Sequence, residues 1–201
     1  MLSISSGLLR GLSLTSPPEK LAHEGVRPTG QKTRQAVFNV LRHFQFCGEP
    51  ILAGAVVADL FAGAGTLGLE AVSNGAKSCV FLEAHRAVLP VLQRNVAIVA
   101  EKMLKQGHEV QLSVLPGDAL SNYSRLPSIR ILFADAPYKA AVALQLLETE
   151  AKSSKIDQNG LLILEVSIAE KVPGQVGALV RFDEKIYGDT AVHFFVKKGF
   201  A

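Results

Sequence analysis

The chain is poor in cysteine: 201 residues contain Cys47 and Cys79 and no C-x-x-C spacing. A disulfide framework and a zinc–thiolate cluster are therefore unsupported, and a reducing cytoplasm is the expected setting. No apolar run reaches the roughly 20 residues needed to cross a bilayer. Residues 1–15 lack the continuous apolar core of a signal peptide. Internal repeats and low-complexity tracts are also missing. Charge is scarce, with 19% charged residues and a net charge of +3, whereas hydrophobic residues make up 48%. That balance excludes a largely disordered chain and predicts a well-buried globular one. The length suits one α/β domain with a small appendage.

The little net charge present is unevenly placed. Residues 1–50 hold six basic residues (Arg10, Lys20, Arg27, Lys32, Arg34, Arg42) and three acids, a net +3, and the remainder holds 15 of each sign. An anionic partner could dock on this N-terminal quarter. An ordinary solvated surface accounts for the charge equally well.

Hydrophobic patterning predicts a small hairpin over 2–14, around Gly7 and Gly11, and a helix over 31–43 with Thr29 as its cap. Strands and helices then alternate. Strands are expected over 55–60, 78–83, 109–115, 130–134 and 160–166, and helices over 66–73, 87–105 and 140–151. Runs over 178–182 and 191–197 flank Tyr187-Gly188-Asp189 and read as a closing antiparallel hairpin. Such alternation predicts a doubly wound, mostly parallel, Rossmann-like sheet. The expected organisation is an N-terminal basic extension and helix over 1–50, packed on a main domain over 51–201.

Ligands of such sheets bind beyond the C-terminal strand ends, near the switch point. Asp59, Glu83, Asp118 and Asp135 all fall at expected strand ends. Gly63, Gly65 and Gly68 follow Asp59 with G-x-G-x-x-G spacing and open a helix. Glycine there allows a sharp turn and close ligand approach, and the helix start offers unpaired N–H groups. Glu83 comes 18 residues after Gly65, where an acid can accept from both ribose hydroxyls of an adenine cofactor. This geometry serves NAD and S-adenosylmethionine alike. The segment Asp135-Ala136-Pro137-Tyr138 separates them. It resembles the Asp/Asn-Pro-Pro-Tyr/Phe motif of methyltransferases that modify exocyclic amines.

Further segments sharpen the resemblance. Arg27-Pro-Thr29, Arg34-Gln-Ala-Val-Phe-Asn-Val-Leu41, the run from Asp59 to Ala71, Phe81-Leu-Glu83 and Tyr187-Gly-Asp-Thr-Ala191 occur in order. Over nearly its whole length the chain resembles the RsmD family of bacterial 16S rRNA guanine-N2 methyltransferases. The resemblance implies that Phe61, Ala62, Gly63 and Gly65 pack against the amino-acid end of S-adenosylmethionine. Asp59 would support that turn or reach the ligand through water. Glu83 would hold the ribose, Asp118 the adenine amine, and the Ala119 N–H the adenine ring. Asp135, Ala136, Pro137 and Tyr138 would hold the target guanine. Ala136 departs from the usual proline but keeps its backbone carbonyl, and Pro137 still restrains it to extended conformations.

The residues suggest how the chemistry would run. Asp135 and the Ala136 carbonyl would accept from the amine and aim its lone pair, and Tyr138 would stack on the base. No basic catalyst and no metal are needed, so His85 and His193 are expected to be structural or exposed. Arg10, Arg27, Lys32 and Arg34 are the expected phosphate contacts, with Tyr187 lining the base pocket. The partner is then 16S rRNA or an assembling small subunit, and the protein is expected to be monomeric. Three other readings stay open: an amine methyltransferase acting on adenine N6 or a protein amide, a non-catalytic RNA- or cofactor-binding relative, and an NAD-dependent oxidoreductase.

Overall fold

Apolar strands separated by amphipathic helices give an α/β sandwich in the computed structural model, which describes residues 2–18, 30–46, 48–135 and 142–199. The N-terminal segment forms a short antiparallel ribbon, β1 (Leu2–Ser3) and β2 (Ser13–Leu14). Helix α1 (Gln31–His43) follows, then a two-stranded ribbon of β3 (Gln45–Phe46) and β4 (Glu49–Pro50). The core elements are β5 (Val56–Leu60), α2 (Thr66–Ser73), β6 (Ser78–Glu83), α3 (Leu89–Lys105), β7 (Gln111–Pro116), β8 (Ile129–Asp135), α4 (Val142–Ser153) and β9 (Ile156–Ser167). Strands β10 (Gln175–Val176), β11 (Leu179–Tyr187) and β12 (Thr190–Lys197) complete the chain.

The main sheet runs β10-β11-β12-β9-β8-β5-β6-β7. Strands β9, β8, β5, β6 and β7 are parallel, and β12, β11 and β10 add antiparallel at one edge. The order reverses between β5 and β8, which places the switch point between Asp59 and Asp135. One core lies on the sheet face covered by α1, α2, α3 and the N-terminal ribbon. The other lies on the α4 face. The boundaries of α1, α2 and β6 match those read from periodicity. Strand β11 runs longer than expected because β12 pairs along it and satisfies a polar stretch that carries no apolar pattern, and β9 starts earlier than expected where Ile156 pairs with Ile129 on β8.

One feature differs from the sequence reading, and a second is unusual for a helix packed on a sheet. Helix α1 starts after Gly30, which caps it with no side chain, and Thr29 lies outside the described residues. Helix α2 is buried on every side, although an eight-residue helix on a sheet would ordinarily expose one face. The N-terminal ribbon covers that face. Leu8 N–H donates to the Ser73 carbonyl at 2.7 Å and Leu9 N–H to Ser73 Oγ at 2.9 Å. A Cβ on Gly7 would stand 2.0 Å from the Ser73 carbonyl oxygen, so only glycine permits this contact.

Candidate active site

Four acids line the C-terminal strand ends on one face of the sheet. Asp59 registers with Phe81 on β6 and Phe133 on β8, so Glu83 and Asp135, each two residues further on, share its face. Asp135 registers directly with Glu165 on β9. The row Glu165, Asp135, Asp59, Glu83 therefore crosses four adjacent strands and spans the switch point. Sequence patterning singled out three of these. Glu165 was missed, although it ends the apolar run 161–166 much as Asp59 and Glu83 end theirs.

Each acid has a different environment. Asp59 is buried, and its Oδ2 accepts the Gly68 N–H at 2.8 Å. Gly68 is the third residue of α2, so Asp59 satisfies a donor that the helix start leaves open. Burial holds the Asp59 carboxyl well above the usual carboxylate range, against the Gly68 bond, and Asp135 and Glu83 raise it further. Glu83 accepts the Gly63 N–H at 2.7 Å on Oε2 and the His85 N–H at 2.6 Å on Oε1. Each of its oxygens keeps a lone pair for another donor. Glu165 is only 7% exposed, and its side chain makes no hydrogen bond or ion pair with a described residue. Burial, with Asp135 beside it, pushes its carboxyl up to about 8.

The glycine turn leaves open space at the strand ends. Phe61 has φ 59°, a left-handed conformation that is costly for a bulky side chain and concentrates at functional sites. A Cβ on Gly63 would meet nothing within 4 Å. At Gly68 a Cβ would stand 2.4 Å from Phe81 Cε1, so this glycine serves helix–strand packing. Ala62 is buried, and its carbonyl accepts the Gly65 N–H at 2.7 Å, which closes the turn. Asn95 on α3 pins the loop from behind, donating Nδ2–H to the Ala64 carbonyl at 2.9 Å and to the Thr15 carbonyl at 3.0 Å. Beyond β7, Asp118 is exposed, and its Oδ1 accepts from Ser121 N–H and Oγ–H, both at 2.8 Å. Ala119 next to it is buried, and its N–H donates to no described residue. Open space at Gly63, two oriented oxygens on Glu83 and an unused amide at Ala119 fit the amino-acid, ribose and adenine parts of an adenosyl cofactor.

The expected RNA contacts divide. Lys32 and Arg10 are exposed. Arg10 follows Leu8 and Leu9, whose N–H groups bond to Ser73 at the C-terminal end of α2, the end away from the glycine turn. Arg34 is not a surface group. It is 2% exposed, its Nε lies 3.5 Å from Glu70 Oε2, and Nη2 donates to the Ser3 carbonyl at 2.8 Å. It shares the inner stripe of α1 with Val37, Phe38 and Leu41, which turns it toward α2 rather than solvent. Glu70, fully buried, also accepts from Ser5 and Ser6, so this network ties the ribbon and α1 to the helix that follows the glycine turn. Tyr187 is half-buried on the acid face, opposite Thr190, which registers with Ser167 beyond Glu165. His193 is buried with Nδ1 3.0 Å from Arg181 Nη1, remote from the acid row in role, and burial lowers its basicity. Arg27, Ala136, Pro137 and Tyr138 lie outside the described residues.

Among the described residues no group of His, Cys, Asp and Glu could hold a metal ion, and no helix is long and apolar enough to cross a membrane.

Known proteins are similar to this chain in sequence and in fold. The family model described as conserved hypothetical protein 95 matches residues 2–196. Ribosomal RNA small subunit methyltransferase D of Haemophilus influenzae is 30% identical over 162 residues, which covers 81% of this chain and 77% of that one. The Escherichia coli protein of the same name is 26% identical over 196 residues, covering 97% and 89%. The solved structure of Escherichia coli yhhF superimposes with a TM-score of 0.77 at 26% identity, covering 98% of this chain and 97% of that one. In fold alone, a Salinibacter ruber RNA methyltransferase solved with S-adenosyl-L-homocysteine is similar, with a TM-score of 0.59 at 12% identity over 87% of this chain and 97% of that one. With a Rossmann-like methyltransferase fold, the acid row at its switch point and a family match over nearly its entire length, the chain belongs to the conserved hypothetical protein 95 family, the RsmD family of rRNA methyltransferases.

Proposed function

We propose that the protein methylates the exocyclic N2 amine of a guanine in 16S ribosomal RNA, using S-adenosylmethionine. The observation that carries this reading is the Glu83 carboxylate, fixed by Gly63 and His85 N–H groups beside an open turn, with Asp135 on the same face across the switch point. When bound, S-adenosylmethionine supplies a methyl on a sulfonium. The chain's contribution is alignment: Glu83 holds the ribose, the Phe61–Gly65 turn admits the amino-acid end, and Asp118 with Ala119 fixes the adenine. Asp135 accepts from the N2 hydrogens and turns the nitrogen lone pair toward the methyl carbon. The surplus proton on N2 would leave past Asp135 to solvent as the methyl is transferred. Positioning of this kind supplies much of the barrier reduction in a displacement, and a fixed anion near the developing positive nitrogen adds to it. Ala136, Pro137 and Tyr138 complete the base pocket in this reading, with Arg27, Lys32 and Tyr187 around it.

Mass-spectrometric mapping of methylated guanines in small-subunit rRNA, from cells with and without the gene, tests the assignment. One guanine should lose its methyl group and regain it with the parental gene. Asp135→Ala should fail to restore it, with transfer in vitro down by roughly a hundredfold or more and S-adenosylmethionine affinity nearly unchanged. An unchanged rRNA methylation map would refute the substrate.

A further inference from the structure

The acid row contains one member for which the proposed transfer has no use. Glu165 stands beside Asp135 on the neighbouring parallel strand, in direct register and on the same face. Adjacent strands run about 4.8 Å apart, so the two side chains leave the sheet as immediate neighbours on one face. Among the described residues no cation pairs with Glu165. Its other neighbour on that face is Val192 on β12. Lys185 on β11 registers with Val192 but is paired to Asp183 at 3.0 Å. From α1 the same core receives Val37, Phe38 and Leu41, with Phe38 against Phe133 at 5.8 Å between ring centres. Asp59 lies on β5, one strand beyond Asp135. Arg181 and Glu184 contact His193, whose side chain points to the opposite face from Val192. A largely buried carboxyl with no cation or donor among the described residues, next to a second acid, favours keeping its proton.

We propose that Glu165 is a positioning residue that donates its O–H to the Asp135 carboxylate, fixing that carboxylate as the acceptor for the target amine. The inference rests on the reading of Asp135 above. Its physical basis is that two ionised carboxylates side by side repel, whereas one proton between them makes a short, charge-assisted bond. Burial and the neighbouring Asp135 keep the proton on Glu165 through neutral pH. The two acids then titrate as a pair. When that proton is lost in mild alkali, Asp135 loses this bond and faces a second negative charge.

The test compares parental protein with Glu165→Gln, Glu165→Ala and Asp135→Ala, in methyl transfer to 16S rRNA from about pH 6 to 9, with calorimetry of S-adenosylmethionine binding. The parental kcat should fall on the alkaline side. Glu165→Gln keeps a donor that does not titrate, so its kcat should hold through that range. Glu165→Ala should lose about tenfold or more in kcat at all pH values, with KM and cofactor affinity within twofold. A second measurement needs no turnover. Unfolding of the cofactor-free parental protein should become easier as pH rises toward 8, and Glu165→Gln should make that slope shallower, leaving the share that Asp59 supplies, a readout available whatever the Ala variant does to folding. Parental kcat and pH profile in both Glu165 variants, with Asp135→Ala inactive, would overturn the role of Glu165 and leave the methyl-transfer reading standing. Full activity of Asp135→Ala would overturn both.

Discussion

Glu83 Oε2 accepts the Gly63 N–H at 2.7 Å, so the acid that ends β6 also fixes the turn that follows β5. The two halves of the proposed cofactor pocket are thereby one unit, and a change at Glu83 acts on both. Glu83→Ala should weaken S-adenosylmethionine binding by about 1.5–3 kcal/mol, the scale for hydrogen bonds to a charged acceptor. Calorimetry checks this. Glu83→Gln should fall in between, because its amide can face only one of the two N–H donors with an oxygen.

Gly63 and Gly68 should respond in opposite ways to alanine. Gly68→Ala drives a methyl against Phe81 and Cys79 and should cost about 1–3 kcal/mol of stability. Gly63→Ala has open space around it, but φ is +54°, so the fold should lose only about 1–2 kcal/mol. Its main effect should be loss of cofactor affinity, as the new methyl projects where the ligand approaches. Urea unfolding paired with calorimetry separates the two.

The basic residues of the N-terminal quarter should also divide by burial. Arg34→Ala leaves Glu70 buried without its cation and should destabilise the fold by about 3–5 kcal/mol. Neutralising the exposed Arg10 and Lys32 together should leave stability within about 0.5 kcal/mol. If these residues touch phosphate, the double variant binds rRNA more weakly and with a shallower salt dependence. Equal RNA binding and an equal salt slope in the double variant would remove both from the interface.

Asp59 gives a pH-dependent prediction. Its folded carboxyl titrates well above its unfolded value, chiefly through burial. The folded state therefore binds more protons than the unfolded state once pH exceeds about 3.9, and stability must decline as pH rises from there. Asp59→Asn keeps an oxygen for the Gly68 N–H and removes the buried titration, so it should flatten that decline. Asp59→Ala orphans the Gly68 N–H and should cost about 1–3 kcal/mol at every pH. Denaturation midpoints across the pH range distinguish the two variants.

Local order in the sequence determined the parallel sheet, the glycine turn and three of the four acids. Each is a short-range pattern: an apolar run ended by an acid, or glycines at fixed spacing before a helix. The tertiary structure decided which charges face water and which acids meet. Arg34 reads as one more basic residue until α1 turns its inner stripe onto α2, where Glu70 waits 36 positions away in the chain. Glu165 reads as a strand residue until β9 is laid beside β8 in register with Asp135. A strand's own pattern does not state its neighbour or its register, because those follow from crossover connections and core packing over the whole sheet. The sequence alone thus supplied the chemistry of the acid row, and the sheet order decided who stands next to whom within it.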